Sequence, residues 1–284
     1  MQHAGQPEVA ARPAWMSEIK LRLASGLVLA VLALGTNYAG HLTFALMVTA
    51  LALVMSWEWG RLVRRQESDH AFIIQATAVV SAIVLTVMGL TAFAWLLVIG
   101  GAIAVVPLRL GRGAHISALG VLYVGLPAVA LVWIRCDEPY GAVAIMLLFL
   151  AVWTTDTGAY VAGRLIGGPK LCPSISPNKT WAGLAGGVST AALACGLLGL
   201  TVEGAAPGPL AALGALLAVF AQGGDLAESA LKRRYGVKDV SQLIPGHGGF
   251  MDRLDGLVAA SAIAGVVALV LNVSAPARAL VFFG

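Results

Sequence analysis

Charge is what this sequence has least of. Only 11 % of its 284 residues are Asp, Glu, Lys or Arg, while 59 % are apolar. Soluble domains are about 25 % charged and 45–50 % apolar. The shortage excludes an ordinary soluble globule, a disordered chain and a fibrous repeat. Cysteine is scarce as well. Cys136, Cys172 and Cys195 stand far apart with no CxxC pair, so neither a disulfide framework nor a zinc site is expected. The familiar nucleotide and esterase motifs are missing. There is no GxxxxGK[ST] loop and no GxSxG, and Gly111-Arg-Gly113 lacks the third glycine of GxGxxG. No solenoid period or low-complexity tract occurs. About twenty mixed residues precede the first apolar run, with no small-residue cleavage site after it, so a cleaved signal peptide is not expected.

What is present is a series of long apolar runs. About nine segments approach the ~20 residues needed to cross ~30 Å of hydrocarbon. They lie near 22–38, 41–59, 72–90, 91–108, 117–134, 140–158, 180–201, 207–225 and 256–273. The third and fourth are split only around Gly89–Ala92, so eight spans is the alternative. Thirty-four glycines suit close helix packing, and Gly183-Leu-Ala-Gly-Gly187 has GxxxG spacing. Of the eighteen Lys and Arg residues, all but Arg135 and Arg278 fall in the N-terminus and in alternate loops of a nine-span arrangement. The positive-inside rule then puts the N-terminus in the cytoplasm and the C-terminus outside. The net charge of +4 reads as this topology signal rather than as a nucleic-acid footprint, so no nucleic-acid partner is expected. The expected fold class is all-α, a polytopic membrane helix bundle. Residues 1–135 form an N-terminal region of about five spans serving as scaffold. Residues 136–284 form a C-terminal region that carries the chemistry on the cytoplasmic side. In the first region only Glu58 stands out, between Trp57 and Trp59, and it reads as an interfacial anchor with a snorkelling carboxylate.

Polar residues concentrate in two blocks, Thr154 to Gly183 and Gln222 to Gly256. At 1.5 Å per residue, Asp156 lies about 24 Å into the sixth span and Asp225 about 25 Å into the eighth. Asp252 and Asp255 sit where the ninth begins. Four carboxylates from three helices thus reach one level near the cytoplasmic boundary, where ionisable groups are costly enough to suggest function. Asp252 and Asp255 share a helix face, as do Asp225, Ser229 and Lys232. Carboxylate oxygens in a compact site suit Mg²⁺ together with substrate phosphates. His247, in Pro245-Gly-His-Gly-Gly249, sits in a loop able to offer backbone N–H groups to an anion. Lys170, Lys179, Lys232, Arg233, Lys238 and Arg253 add positive charge. Plainer readings stand beside these. Arg164, Arg233 and Arg234 serve orientation alone, Asp252 and Asp255 complement a helix dipole, Ser176–Thr180 is a turn and helix start, and His247 is an ordinary loop residue. The residues by themselves reach a metal-assisted phosphate or phospholipid enzyme of the membrane.

The stretch Ser229-Ala-Leu-Lys-Arg-Arg-Tyr-Gly-Val-Lys-Asp-Val-Ser-Gln-Leu-Ile-Pro-Gly-His-Gly-Gly-Phe-Met-Asp-Arg-Leu-Asp255 resembles the signature of phosphatidate cytidylyltransferases, also called CDP-diacylglycerol synthases. Gln222-Gly-Gly-Asp-Leu226, Asp156-Thr-Gly-Ala-Tyr160 and Ser176-Pro-Asn-Lys-Thr180 resemble the same family, so the likeness covers about residues 154–256. Two departures are visible. Gly168-Pro169 stands where many members carry Lys, and Ala182 where many carry Glu.

The resemblance implies that CTP and phosphatidic acid give CDP-diacylglycerol and pyrophosphate. It implies Mg²⁺ as cofactor, with a second cation, K⁺ or another Mg²⁺, beside it. It further implies a homodimer in the inner membrane. On it, Asp225, Asp252 and Asp156 are expected as metal ligands. Asp225, Asp252, Asp255 and Lys232 are expected as the catalytic set. Ser176, Lys179, Thr180, Ser229, Arg233, Lys238, Asp239, His247, Gly248, Gly249 and Arg253 are expected to bind substrate. Competing readings are a related CTP-dependent enzyme acting on an isoprenoid lipid and, more remotely, an ion-coupled transporter. Transporters place their carboxylates nearer the midplane, often in matched halves.

Overall fold

The computed structural model describes residues 14–65, 68–109, 113–244 and 248–283, with side chains from residue 25 onward except that of Arg109. Nine helices follow the nine apolar runs: α1 (Ala14–Ala39), α2 (His41–Trp59), α3 (His70–Val87), α4 (Thr91–Val105), α5 (Ala114–Cys136), α6 (Gly141–Leu165), α7 (Trp181–Thr201), α8 (Pro207–Arg234) and α9 (Met251–Leu271). A short α10 (Pro276–Phe282) closes the chain. Seven of these helices are long and apolar enough to cross a membrane. Thr91–Val105 and the stretch Ser25–Ala39 of α1 are shorter apolar helices. The chain is therefore a polytopic membrane helix bundle. The expected break between the third and fourth runs falls at residues 88–90, between α3 and α4.

Two features depart from the sequence reading. Residues 170–180 form an antiparallel hairpin, β1 (Lys170–Cys172) with β2 (Ser176–Thr180), so the bundle carries a small β element. And three helices outrun their apolar segments at one end. α6 continues to Leu165, α8 continues to Arg234, and α9 starts at Met251. Hydropathy stops where charge begins, but the backbone has no reason to unwind there. A helix satisfies its own N–H and C=O groups wherever water is scarce. The consequence is that Asp156, Asp225, Ser229, Lys232, Asp252 and Asp255 all sit on rigid helix.

Packing depends on small residues. A Cβ on Gly186 would stand 2.2 Å from Ala162 Cβ, and one on Gly187 would stand 2.8 Å from Thr155 O. α6 and α7 therefore meet backbone to backbone, which is the helix-packing role expected of Gly183–Gly187. Thr190 Oγ1 locks the pair by donating to Thr154 O at 2.9 Å. One continuous buried cluster runs through Phe44 and Trp59 of α2, Ile134 of α5, Leu148 of α6, Leu217 of α8, Met251 of α9 and Leu280 of α10. Equally apolar side chains such as Leu46, Phe93, Leu96, Leu193 and Val270 cover the outside, as lipid-facing surface does.

At the end opposite the polar blocks, Arg135 is buried. It donates from Nε and Nη2 to Asn37 O at 3.0 and 2.7 Å and from Nη1 to Glu138 Oε1 at 2.5 Å. Asn37 Nδ2 in turn donates to Ala142 O at 3.0 Å. This basic residue, out of place in the charge pattern, ties the ends of α1, α5 and α6 together. Nearby, Asp137 Oδ2 accepts from Ala277 N and Arg278 N and caps α10.

Candidate active site

α8 is the spine of the site, and Asp225, Ser229 and Lys232 share one of its faces at two levels. At the first level Lys179, held out by β2, donates to Asp225 Oδ2 at 2.6 Å and to Gln222 Oε1 at 2.9 Å. Ser229 Oγ donates to the other oxygen of Asp225 at 3.3 Å. Beside them a polar cavity of about 500 Å³ opens between α6, β2, α7 and α8. Its lining includes Asp156, Tyr160, Arg164, Lys179, Thr180 and Asp225. Thr180 also fixes the wall, because its Oγ1 accepts from Gly183 N at 3.0 Å and caps α7. Arg164 Nη1 donates to Tyr160 Oη at 2.7 Å on the cavity's outer rim.

Two turns further along α8, Lys232 donates to Asp252 Oδ1 at 2.5 Å and lies 3.4 Å from Glu228 Oε1. Asp252 Oδ2 accepts from Val240 N at 3.1 Å and Gly249 N at 2.9 Å. That carboxylate therefore ties Val240 and Gly249 to the residue that holds Lys232. Gly248 has φ +83°, where a side chain is strained, and a Cβ there would stand 3.0 Å from Asp252 Oδ2. Glu58 of α2, fully buried, reaches the same segment. It accepts from Phe250 N at 2.9 Å, from Met251 N at 2.7 Å and from Ser241 Oγ. The anchoring role expected for Glu58 is thus corrected. Its carboxylate does not snorkel to water but binds the start of α9.

Between the two lysines the acids adjoin one another. The carboxyl of Asp255 faces those of Glu228, Asp225 and Asp156, and Glu228 is fully buried with neither oxygen accepting a hydrogen bond. Five acids gather around Lys179, Lys232 and, at the rim, Arg253. Opposed carboxylates at this depth need a proton or a cation between them. The donors are all oxygen, the set that suits a hard cation such as Mg²⁺. Among the described residues no three such groups are drawn tightly enough to form a ready-made cage. Mg²⁺ usually keeps several waters and takes one or two carboxylates plus substrate phosphates, so the residues fit that ion.

Of the other expected residues, Arg233, Lys238, Asp239 and Arg253 lie on the exposed rim. Lys238, Asp239 and Arg61 line a second open cavity of about 670 Å³. Ser176 opens β2, while the lining of the first cavity begins two residues later, at Asn178. The Gly249 N–H expected to cradle a phosphate is engaged by Asp252. His247 lies outside the described residues. Sequence reasoning missed Glu228, Gln222 and the role of Glu58. Glu228 was within reach, since it stands at i+3 from Asp225 and i−4 from Lys232 on the same helix.

The chain matches the cytidylyltransferase family over residues 20–271. It is 43 % identical over 255 residues to a phosphatidate cytidylyltransferase of Brucella suis, an alignment covering 87 % of this chain and 92 % of that one. To the phosphatidate cytidylyltransferase of Pseudomonas aeruginosa it is 34 % identical over 254 residues, covering 85 % and 94 %. To that of Bacillus subtilis it is 42 % identical over 140 residues, covering 48 % and 51 %.

Proposed function

The chain belongs to the cytidylyltransferase family, and from that premise we propose that its site joins CTP to a membrane phosphomonoester. The reaction is CTP plus phosphatidate giving CDP-diacylglycerol plus pyrophosphate. The observation that carries this reading is the pair of lysines, Lys179 and Lys232, held by acids at two levels along α8, the first of them lining an open polar cavity. Two polyanions have to meet here, and a lysine released from its carboxylate by an arriving phosphate is suited to receive them.

A lipid phosphomonoester has a second pKa of about 6 if it behaves like a phosphorylated side chain. It is then anionic at neutral pH and needs no strong base. One of its oxygens forms a bond to the α-phosphorus of CTP as the bond to the β-phosphate oxygen breaks and pyrophosphate departs. Lys179, with Arg164 on the rim, binds a phosphate in the cavity between α6 and α7. Lys232, with Arg233 and Lys238 beyond it, binds the triphosphate and the leaving pyrophosphate. Asp225 and Asp156, with Glu228 and Asp255, are the residues that would hold a divalent cation. Such an ion would neutralise phosphate charge and supply Lewis-acid polarisation at the α-phosphate. Asp252 accepts two backbone amides besides Lys232, whereas Asp225 accepts from side chains, those of Lys179 and Ser229, and that difference supports a positioning role for Asp252.

The site faces the cytoplasm of the inner membrane in this reading, and the loop charge pattern supports that orientation. The homodimer and a second cation rest on the family resemblance. Purified protein in liposomes, given labelled CTP, phosphatidic acid and Mg²⁺, tests the reaction. Labelled CDP-diacylglycerol with equimolar pyrophosphate is expected. Product formed from polyprenyl phosphate but not from phosphatidic acid would sink it in favour of the isoprenoid reading.

A further inference from the structure

We infer that Glu58 is a positioning residue for the reaction, acting through Asp252 and Lys232 from a helix that contributes nothing else to the two-lysine cluster. The inference rests on the reading given under Proposed function. The start of α9 has no capping side chain of its own. Its first amides are taken from two directions instead. Asp252 takes Gly249 N, and Glu58 takes Phe250 N and Met251 N. The approach to the helix is held the same way, with Val240 N on Asp252 and Ser241 Oγ on Glu58. The 240–241 and 249–251 stretches are therefore clamped between two carboxylates, one on α2 and one on α9.

The contact leaves no slack. A Cβ on Gly249 would stand 2.5 Å from Glu58 Oε1 and 3.0 Å from Ser241 Oγ. That spacing explains glycine here without recourse to a ligand. Glu58 itself is fully buried. A carboxylate that deep is tolerable only because three donors and the positive end of a helix face it. Its partners fix where Asp252 points, and Asp252 in turn fixes Lys232 at 2.5 Å. Removing the charge of Glu58 leaves the amides of Phe250 and Met251 short of an acceptor and frees the segment that orients Lys232.

Glu58→Gln is the direct test, since it keeps the shape but turns an N–H₂ group toward N–H and O–H donors. Supporting groups of this kind change activity by about 10- to 100-fold. The expected result is a fall in kcat of that order, with the KM for CTP within about threefold. Hydrogen exchange at the amides of 249–251 should rise while the rest of the bundle stays protected. Glu58→Asp should recover part of the rate. Ser241→Ala, which removes one donor of three, should fold normally and lose only a few-fold. A kcat for Glu58→Gln within twofold of wild type would overturn the inference. So would a loss that tracks the unfolded fraction while exchange at 249–251 keeps its wild-type value. An inactive wild type would instead overturn the reaction assignment, and the exchange measurement would still decide whether Glu58 holds the segment.

Discussion

At one end of the bundle Arg135 is buried against a backbone carbonyl of Asn37 and the carboxylate of Glu138. At the other, Lys179 and Lys232 are partly buried against Asp225 and Asp252 beside further acids. Both ends put cations where charge is costly, yet the two arrangements differ in what they leave over. Arg135 has planar donors matched to fixed acceptors from neighbouring helix ends, and its one acidic partner is half exposed. The lysines are flexible point charges in a cluster where acids outnumber cations. In the first, every nitrogen of the guanidinium has an acceptor within the protein. The second has an excess of acceptor oxygens, and a site that binds phosphates with a divalent ion requires such an excess. Burial of charge therefore does not mark a functional site. A surplus of acids that calls for a proton or a cation is the feature that sets the second arrangement apart.

The sharpest way to break this contrast is Asp225→Asn. The substitution keeps the shape, removes one unit of negative charge and alters the partner of Lys179. Loss of a transition-state charge contact costs about 10²–10³ in rate. A fall of that size is expected, with the melting temperature in detergent nearly unchanged. Steady-state assays across a Mg²⁺ titration, alongside a thermal melt, check it. An enzyme with near-normal kcat would remove Asp225 from the chemistry and return it to the class of Arg135.

The converse substitution is Arg135→Met. It leaves Asn37 O and Glu138 without their partner, and hydrogen bonds to charged groups are worth about 1.5–3 kcal/mol. A destabilisation of about that size is expected by equilibrium unfolding in mixed micelles. The kcat per folded molecule should stay that of the wild type. A lowered kcat in fully folded protein would show that the far end communicates with the site, and the contrast between the ends would fail.

How much of this was visible beforehand differs in the same way between backbone and site. Apolar runs located α1 to α9, though not the short α10, because hydropathy is the dominant signal in a membrane helix. They misplaced the helix ends at Leu165, Arg234 and Met251, where a hydropathy argument reads charge as an exit from the helix. The hairpin was hidden because Ser176-Pro-Asn-Lys-Thr180 is poor in strand-forming residues and its partner strand is only three residues long. Asp156, Asp225 and Asp255 were legible from helix depth alone. Glu58 was not, since its partners lie 183 to 193 residues along the chain. A lone Glu beside two tryptophans at a span end also has an ordinary explanation.

Thr180 lies on the boundary between the two kinds of residue, and it sets the smallest effect. Its hydroxyl caps α7 through Gly183 N, and its residue also lines the cavity beside Lys179. The cap commits an acceptor lone pair and leaves the hydroxyl proton available, so both roles are chemically open to one group. The strand geometry favours the first. Lys179, one residue earlier, carries the charge, while Thr180 is 5 % exposed and turned against α7. Thr180→Ala should therefore cost about 1 kcal/mol of stability, as other caps do, with the KM for either substrate moving less than about threefold. Thr180→Ser should restore the stability. A KM raised tenfold with an unchanged melt would reverse the assignment and place the hydroxyl on the substrate. The site would then begin one residue deeper in the wall than the lysines alone define it.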